Sequence, residues 1–322
     1  MTDNATMNVV QAPLGNPGML KNASAVPLEN LRRQAQFAVS SAKKTSPSNY
    51  VVPAQVVTQS PAESCERELL ATMYGAWAPL VVDLAKPLCG QKVLDLACGT
   101  GAVARVAAKR TGITGSVIGV DVHPGMLAIA RENADHNFDL SAASIEWQEA
   151  DASALPLDSN SIDVAYCQAG LQYFADKPAA LRELHRVLTP GGRIGLMTWR
   201  SIDLSPGFRI FADVLEDHLG VSAAATVRLQ FALSDTELDR LVRAANFRVV
   251  ATQEHTGMVR FQSVQQLLRL FLSGSRVAAF LTQGSAVKRE ALVSKVTSAL
   301  SRYVTRSGLA FSIAANLVSA AK

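Results

Sequence analysis

The sequence has little cysteine, little net charge and no long apolar run, and each shortage excludes something. Only Cys65, Cys89, Cys98 and Cys167 occur in 322 residues. None forms a Cys-x-x-Cys pair and none has histidine at metal-ligand spacing, which argues against a zinc site or a disulfide framework. Scattered thiols suit a reducing compartment. Cys98 and Cys167 lie in apolar, strand-like surroundings, as ordinary core or pocket-wall residues do. Lysine plus arginine is 31 against 27 aspartate plus glutamate, leaving +4. That excess is too small to track a nucleic-acid backbone. No stretch approaches the ~18 consecutive apolar residues of a membrane span. The first residues show no basic segment followed by an apolar one, so no secretory signal is read. The expectation is a cytoplasmic protein acting on a small molecule, with no nucleic-acid partner and no membrane span. Oligomeric state is not legible.

What is present is enough apolar material for a sizeable core, 48% against 18% charged. Residues 1–60 differ from the rest. They are rich in Asn, Ser, Ala, Pro and Gln, carry only Asp3 and Glu29 as acids, and show no sustained periodicity. Such a composition buries too little to offset its ordering entropy, so 1–60 reads as a flexible extension. A short helix over 28–39 and an organelle transit peptide are the other readings of this segment.

From residue 66 the pattern becomes regular. Apolar residues at three- and four-residue steps predict one or two cap helices over 66–88. Strands then alternate with helices: strands at 93–99, 115–122, 144–148, 162–168 and 193–199, helices at 102–110, 124–134 and 177–188. Such alternation predicts an α/β fold, a doubly wound and mostly parallel sheet with right-handed crossovers. Further on, helices are expected at 208–219, 234–245, 263–273 and 286–304, and strands at 247–255 and 310–320. A late strand, a helical insertion and a final strand suggest an edge hairpin with an antiparallel last strand, giving seven strands. Residues 256–308 would form a lid insertion, 91–200 the ligand-binding core, and 61–322 one domain.

The central chemical signal is Val93-Leu94-Asp95-Leu96-Ala97-Cys98-Gly99-Thr100-Gly101, leaving a strand and entering a helix. Gly99 and Gly101 permit a tight turn and close approach of a ligand. The helix start beyond them offers free N–H groups to a polar or anionic group. Dinucleotide binders use a similar turn, and Ala104 loosely satisfies their third small position. Asp95, four residues before Gly99, would repel a pyrophosphate but suit a cationic amine.

Asp121 ends the next strand, where a carboxylate can accept both hydroxyls of a ribose diol. The plain alternative is a helix cap, because Pro124 opens a helix shortly afterwards. Asp151, in Ala150-Asp151-Ala152 after the third strand, can accept from an exocyclic adenine amine or simply shape a turn.

At these motifs the chain resembles the class I S-adenosylmethionine-dependent methyltransferases, most closely the ubiquinone/menaquinone-type small-molecule group. The resemblance runs from about residue 66 to the end and is strongest over 91–200. It implies the Rossmann-like methyltransferase fold and S-adenosyl-L-methionine as cofactor. The run from Asp95 through Ala97, Gly99, Thr100 and Gly101 would cradle the methionine part. Asp121 would hold the ribose, with Val122 and Met126 beside it, and Asp151-Ala152 would read adenine. Asp163 to Gln168 resembles the family's fourth-strand motif, with Gln168 facing the cofactor, and 186–192 resembles its Arg-Val-Leu-x-Pro-Gly-Gly turn. Ala97 stands where the family usually has glycine. The fifth strand, Leu196-Met197-Thr198-Trp199-Arg200, lacks the acidic end of the quinone-ring enzymes.

The implied activity is transfer of a methyl group to O, N or C of a small molecule, of the kind secondary metabolism uses. A sulfonium methyl is already activated, so the protein mainly aligns a nucleophile and excludes water. Gln172, Tyr173, Tyr74 and Trp77 are candidate substrate-binding residues; His123 is a further polar candidate, and none of these is assigned as a catalytic base. Packing is the plain alternative for the aromatics, which could also stack on a sulfonium. The competing functional readings are a cofactor-binding relative without methyl transfer, a non-catalytic partner subunit, and a nicotinamide dehydrogenase. Gln168-Ala169-Gly170-Leu171 lacks the Asn/Asp-Pro-Pro-aromatic signature of nucleic-acid methylation.

Overall fold

A computed structural model describes residue 68 and residues 72–136, 139–272 and 286–322, all within one unit, Val51–Lys322. The expected extension 1–60, the helix at 28–39, Cys65 and residues 273–285 of the expected lid lie outside the described residues.

A 3-10 turn (Gly75–Trp77) leads into helix α1 (Ala78–Ala85), which ends on Lys86 in the left-handed region at φ 39°. The single periodic stretch over 66–88 is therefore broken ahead of Pro79, which sits in the first turn of α1, where it needs no N–H partner. Then follow β1 (Lys92–Leu96), α2 (Ala102–Thr111), β2 (Ser116–Asp121), α3 (Pro124–His136), β3 (Ser144–Glu149), β4 (Ile162–Gln168), α4 (Lys177–Val187) and β5 (Leu188–Trp199). Asp176 caps α4 by accepting from Ala179 N–H at 2.8 Å. The second half comprises α5 (Pro206–Leu219), α6 (Val221–Arg228), α7 (Asp235–Ala244), β6 (Arg248–Phe261), α8 (Val264–Leu272), α9 (Ala286–Ala299), β7 (Val304–Thr305) and β8 (Gly308–Ala321). Ser234 caps α7 at the expected helix start, accepting from Glu237 N–H.

The strands run in the order β3-β2-β1-β4-β5-β8-β6, with the two-residue β7 paired to β8 off that path. β1 to β5 pair in parallel and β8 is antiparallel to both neighbours. The doubly wound sheet and the antiparallel last strand are thus as the sequence predicts, while the short β7 makes eight strands where seven are expected.

Several boundaries and one element differ. β6 continues to Phe261, pairing with β8 as far as Leu309, so residues 256–261 belong to the sheet and not to an insertion. The helix expected over 286–304 stops at Ala299; a 3-10 turn (Ser301–Tyr303) and the β-branched pair Val304-Thr305 then lead into β8. Helix α6 was not expected at all; its Ala-rich run carries too weak an apolar stripe to stand out.

Both sheet faces are covered. On β1, Val93 joins one apolar cluster with α1, α2 and α5, while Leu94 and Leu96 join the other with α4 and α7. A strand buried on both faces reads as an apolar run rather than an alternation, which is what 93–96 shows apart from Asp95.

Candidate functional site

The carboxyl ends of β1, β2 and β3 gather the acids. After β1 the chain takes three left-handed residues within five positions: Ala97 at φ 55°, Gly99 at 53° and Gly101 at 77°. At Gly101 a Cβ would fall 2.4 Å from the Trp147 ring, so only glycine fits. Ala97 bears the same conformation with a side chain, at a cost of about 1 kcal/mol.

Two carboxylates hold this turn. Asp95 is 1% exposed and accepts from Ala104 N–H at 2.8 Å, so it caps the start of α2. Burial pushes its carboxyl up to about 7 and the nearby Asp121 charge adds to this, against the opposing Ala104 bond and Arg105. Asp121 accepts from Gly99 N–H at 2.8 Å through Oδ2 and from His123 N–H at 2.9 Å through Oδ1. It therefore ties the glycine turn to the tip of β2. The cap alternative becomes an Asx turn onto His123, one residue before α3. Thr100 is buried, and its carbonyl accepts from Arg105 at 2.6 Å and Asn133 at 3.3 Å.

Val122 stands 57% exposed beyond Asp121, with Met126 buried behind it on α3. One strand along, Ala150 N–H reaches the Asp121 carbonyl at 3.2 Å. Asp151 Oδ1 accepts from Ser153 N–H at 2.7 Å and Ser153 Oγ at 2.6 Å, which holds its carboxyl below the usual range. Ala152 lies partly buried beside it.

The loop that follows is clamped by Arg186. Its guanidinium forks onto Glu183 at 2.7 and 2.8 Å and donates to the carbonyls of Leu157 at 2.7 Å and Leu155 at 3.0 Å. The sequence motif around Arg186 was visible; its task of holding the loop after Asp151 was not.

On the other side, Gln168 ends β4 and donates through Nε2 to the Tyr74 carbonyl at 2.8 Å. The next turn packs against the glycine turn, since a Cβ on Gly170 would lie 2.5 Å from that of Ala97. Gln172 and Tyr173 follow in a 3-10 turn (Leu171–Tyr173). Tyr74 donates its hydroxyl to Gln230 at 3.2 Å and stacks at a tilt on Trp199, centroids 5.7 Å apart. Trp77 is core rather than lining: it is buried between Trp199, His255 and Gly257. Trp147 and Gln230 were not singled out by sequence. They act through partners distant in the chain, so no local spacing marks them.

Among the described residues no helix is long and apolar enough to cross a membrane, and no group of three or more His, Cys, Asp or Glu could hold a metal ion.

A family model described as a methyltransferase domain matches residues 93–192. The 2-phytyl-1,4-naphthoquinone methyltransferase of Nostoc punctiforme is 34% identical over 166 residues, covering 51% of this chain and 71% of that protein. Its counterpart from Thermosynechococcus vestitus is 38% identical over 125 residues, 39% of this chain and 53% of the relative. A ubiquinone/menaquinone biosynthesis C-methyltransferase of Stenotrophomonas maltophilia is 34% identical over 130 residues, 40% and 51% of the two chains. These relatives are quinone-ring enzymes although the fifth strand here lacks the acidic end expected of them. The fold is shared with solved structures from Bacillus halodurans (TM-score 0.54) and with YcgJ of Bacillus subtilis (TM-score 0.52), each 18% identical and covering 77% of this chain and 99% of the other. A glycine turn bracketed by acids at three successive strand tips, on a sheet of this order and with these relatives, has one family reading: the chain belongs to the class I S-adenosylmethionine-dependent methyltransferases.

Proposed function

We propose that this S-adenosylmethionine-dependent methyltransferase places its cofactor along the tips of β1 to β3 and methylates a neutral, oxygen-bearing aromatic ring of the naphthoquinol type. The observation that carries the cofactor half is the junction of Gly99 and Asp121. One carboxylate bonds the glycine turn and still has free lone pairs, since each carboxylate oxygen accepts more than one donor. Those lone pairs suit the two ribose hydroxyls. Val122, exposed beside Met126, suits an adenine face, and Asp151 with Ala152 suits its edge. Ala97, Gly99, Thr100 and Gly101 would border the methionine part, with Asp95 behind them setting the start of α2. The donor set therefore fits the cofactor.

When bound, the cofactor supplies an already activated methyl group. The chain's contribution is alignment and exclusion of water. Gln168 sits between the two halves, bonding the N-terminal cap through Tyr74 and bordering Ala169 and Gly170, which pack on the glycine turn. Residues 61–322 are assigned as the methyltransferase domain, with 1–60 as an extension. The cover over the acceptor half is assigned to two insertions. One is α5 to α7, whose 3-10 turn (Leu229–Phe231) meets the Leu171–Tyr173 turn, and the other is α8 with α9.

The acceptor class rests on the relatives from Nostoc punctiforme and Thermosynechococcus vestitus, whose names give a naphthoquinone ring. The test is transfer of labelled methyl from S-adenosylmethionine to reduced 2-phytyl-1,4-naphthoquinone, with calorimetric binding of S-adenosylhomocysteine measured in parallel. Cofactor binding without label transfer to that ring would remove the acceptor reading alone. Absence of cofactor binding would remove the placement along β1 to β3 as well.

A further inference from the structure

Buried polar atoms almost always find partners, because an unmade hydrogen bond in the interior leaves the full desolvation cost of the group uncompensated. Gln172 breaks this rule at both ends. It is 3% exposed, and neither its amide oxygen nor its amide nitrogen has a hydrogen-bond partner. Its surroundings break the rule too. Trp199, fully buried at the end of β5, has an unpartnered indole N–H, and Gln168, at the end of β4, has an unpartnered amide oxygen.

Tyr74 links these groups: its carbonyl accepts from Gln168 Nε2 at 2.8 Å and its ring tilts on Trp199 with centroids 5.7 Å apart. The Tyr74 hydroxyl lies near the Trp199 N–H, and the Tyr173 hydroxyl near the Gln172 amide, in both cases without the geometry of a formed hydrogen bond. Tyr173 is 47% exposed as a residue, and desolvation pushes its hydroxyl well up. Gln172 follows two residues after Gly170, whose Cα approaches Ala97 of the cofactor turn too closely for a Cβ. In doubly wound sheets, ligands bind outside the carboxyl ends of the strands, which is where these residues stand. All of them are neutral. Arg200, which follows Trp199 just past β5, is occupied by Asp235 and Glu254.

We propose that Gln172 is the acceptor-binding residue of this enzyme, its primary amide hydrogen-bonding an oxygen substituent of a neutral aromatic ring, with the Trp199 N–H as the second donor. The orphaned amide is then a site prepared for a partner that the acceptor brings. Such a site rejects a ring lacking the oxygen, because the amide would again be left unpaired. It also disfavours a carboxylate or ammonium acceptor, which would enter without a counter-charge. This inference rests on the aromatic-acceptor reading above but not on the naphthalene skeleton.

The experiment uses the full chain saturated with S-adenosylhomocysteine and measures binding of 1,4-naphthalenediol, of naphthalene and of a monocyclic catechol. Gln172→Met and Gln172→Leu keep the volume and remove the amide. The expected result is a loss of about tenfold or more in affinity for the diol. Naphthalene and S-adenosylhomocysteine should bind within about twofold of wild type, and the melting temperature should be equal or higher, since an unpaired buried amide has gone. Equal losses for diol and naphthalene, no loss for either, or a lowered melting temperature in both variants would overturn the proposal. Binding of catechol but not of the diol, lost in both variants, would uphold Gln172 and remove the naphthoquinol reading. No binding of any ring to wild type overturns both.

Discussion

Replacing Asp121 by alanine removes a carboxylate that the fold uses twice and the cofactor is expected to use again. The two backbone bonds, to Gly99 at 2.8 Å and His123 at 2.9 Å, are charge-assisted but only partly buried. Their loss should cost about 1–3 kcal/mol of stability. If the same side chain accepts both ribose hydroxyls, affinity for S-adenosylhomocysteine should fall by a further 2–4 kcal/mol, about 30- to 1000-fold. Lower affinity alone does not separate a direct contact from a loosened glycine turn. A cycle does so: titrate wild type and Asp121→Ala with S-adenosylhomocysteine and with its 2′,3′-dideoxyribose analogue. A direct contact makes the deletions non-additive, so that loss of the hydroxyls weakens binding to wild type and scarcely changes binding to the variant. Additive losses would refute the ribose contact and leave Asp121 as a strut for the turn. Unchanged affinity would refute both roles.

Other outcomes follow from the same geometry. Asp95, raised from 3.8 to about 7, holds in the folded state a proton that the unfolded chain has lost, so its contribution lowers stability as pH rises between those values. Asp95→Asn should remove that slope and gain up to about 4 kcal/mol on wild type by about pH 8, with little gain near pH 4; parallel melting curves with the same slope would refute the assignment. Arg186→Met should cost about 2–3 kcal/mol by freeing the Leu155 and Leu157 carbonyls and half of Glu183, and Arg186→Lys should recover less than half, because an ammonium cannot form the fork; denaturant midpoints read both. Ala97→Gly should relieve the left-handed strain and leave stability unchanged or raised by up to about 1 kcal/mol, the gain being reduced by glycine's freer unfolded chain. A drop of more than that would mean that the Ala97 contact with Gly170 outweighs the strain.

The sequence by itself determined the elements whose signals are local. The apolar strand 93–96, the glycines at 99 and 101, the acids at strand tips and the helix start at Ser234 depend on neighbours a few residues away, so spacing reveals them. The parallel order follows because βα crossovers have one favoured hand. Even the antiparallel last strand was legible, because a helical insertion between two late strands leaves an edge hairpin as the simplest closure.

Tertiary structure alone decided what depends on distant pairing. β6 runs to Phe261 because β8 offers it partners as far as Leu309, not because residues 256–261 look like strand. Trp77 became core through Trp199 and His255, more than a hundred residues away. Asp121 proved to be a strut for Gly99 as well as a candidate ribose ligand, a double use that no spacing distinguishes. The unpaired state of Gln172 could not be read from the chain at all, for a glutamine is orphaned only by what the rest of the fold fails to bring to it.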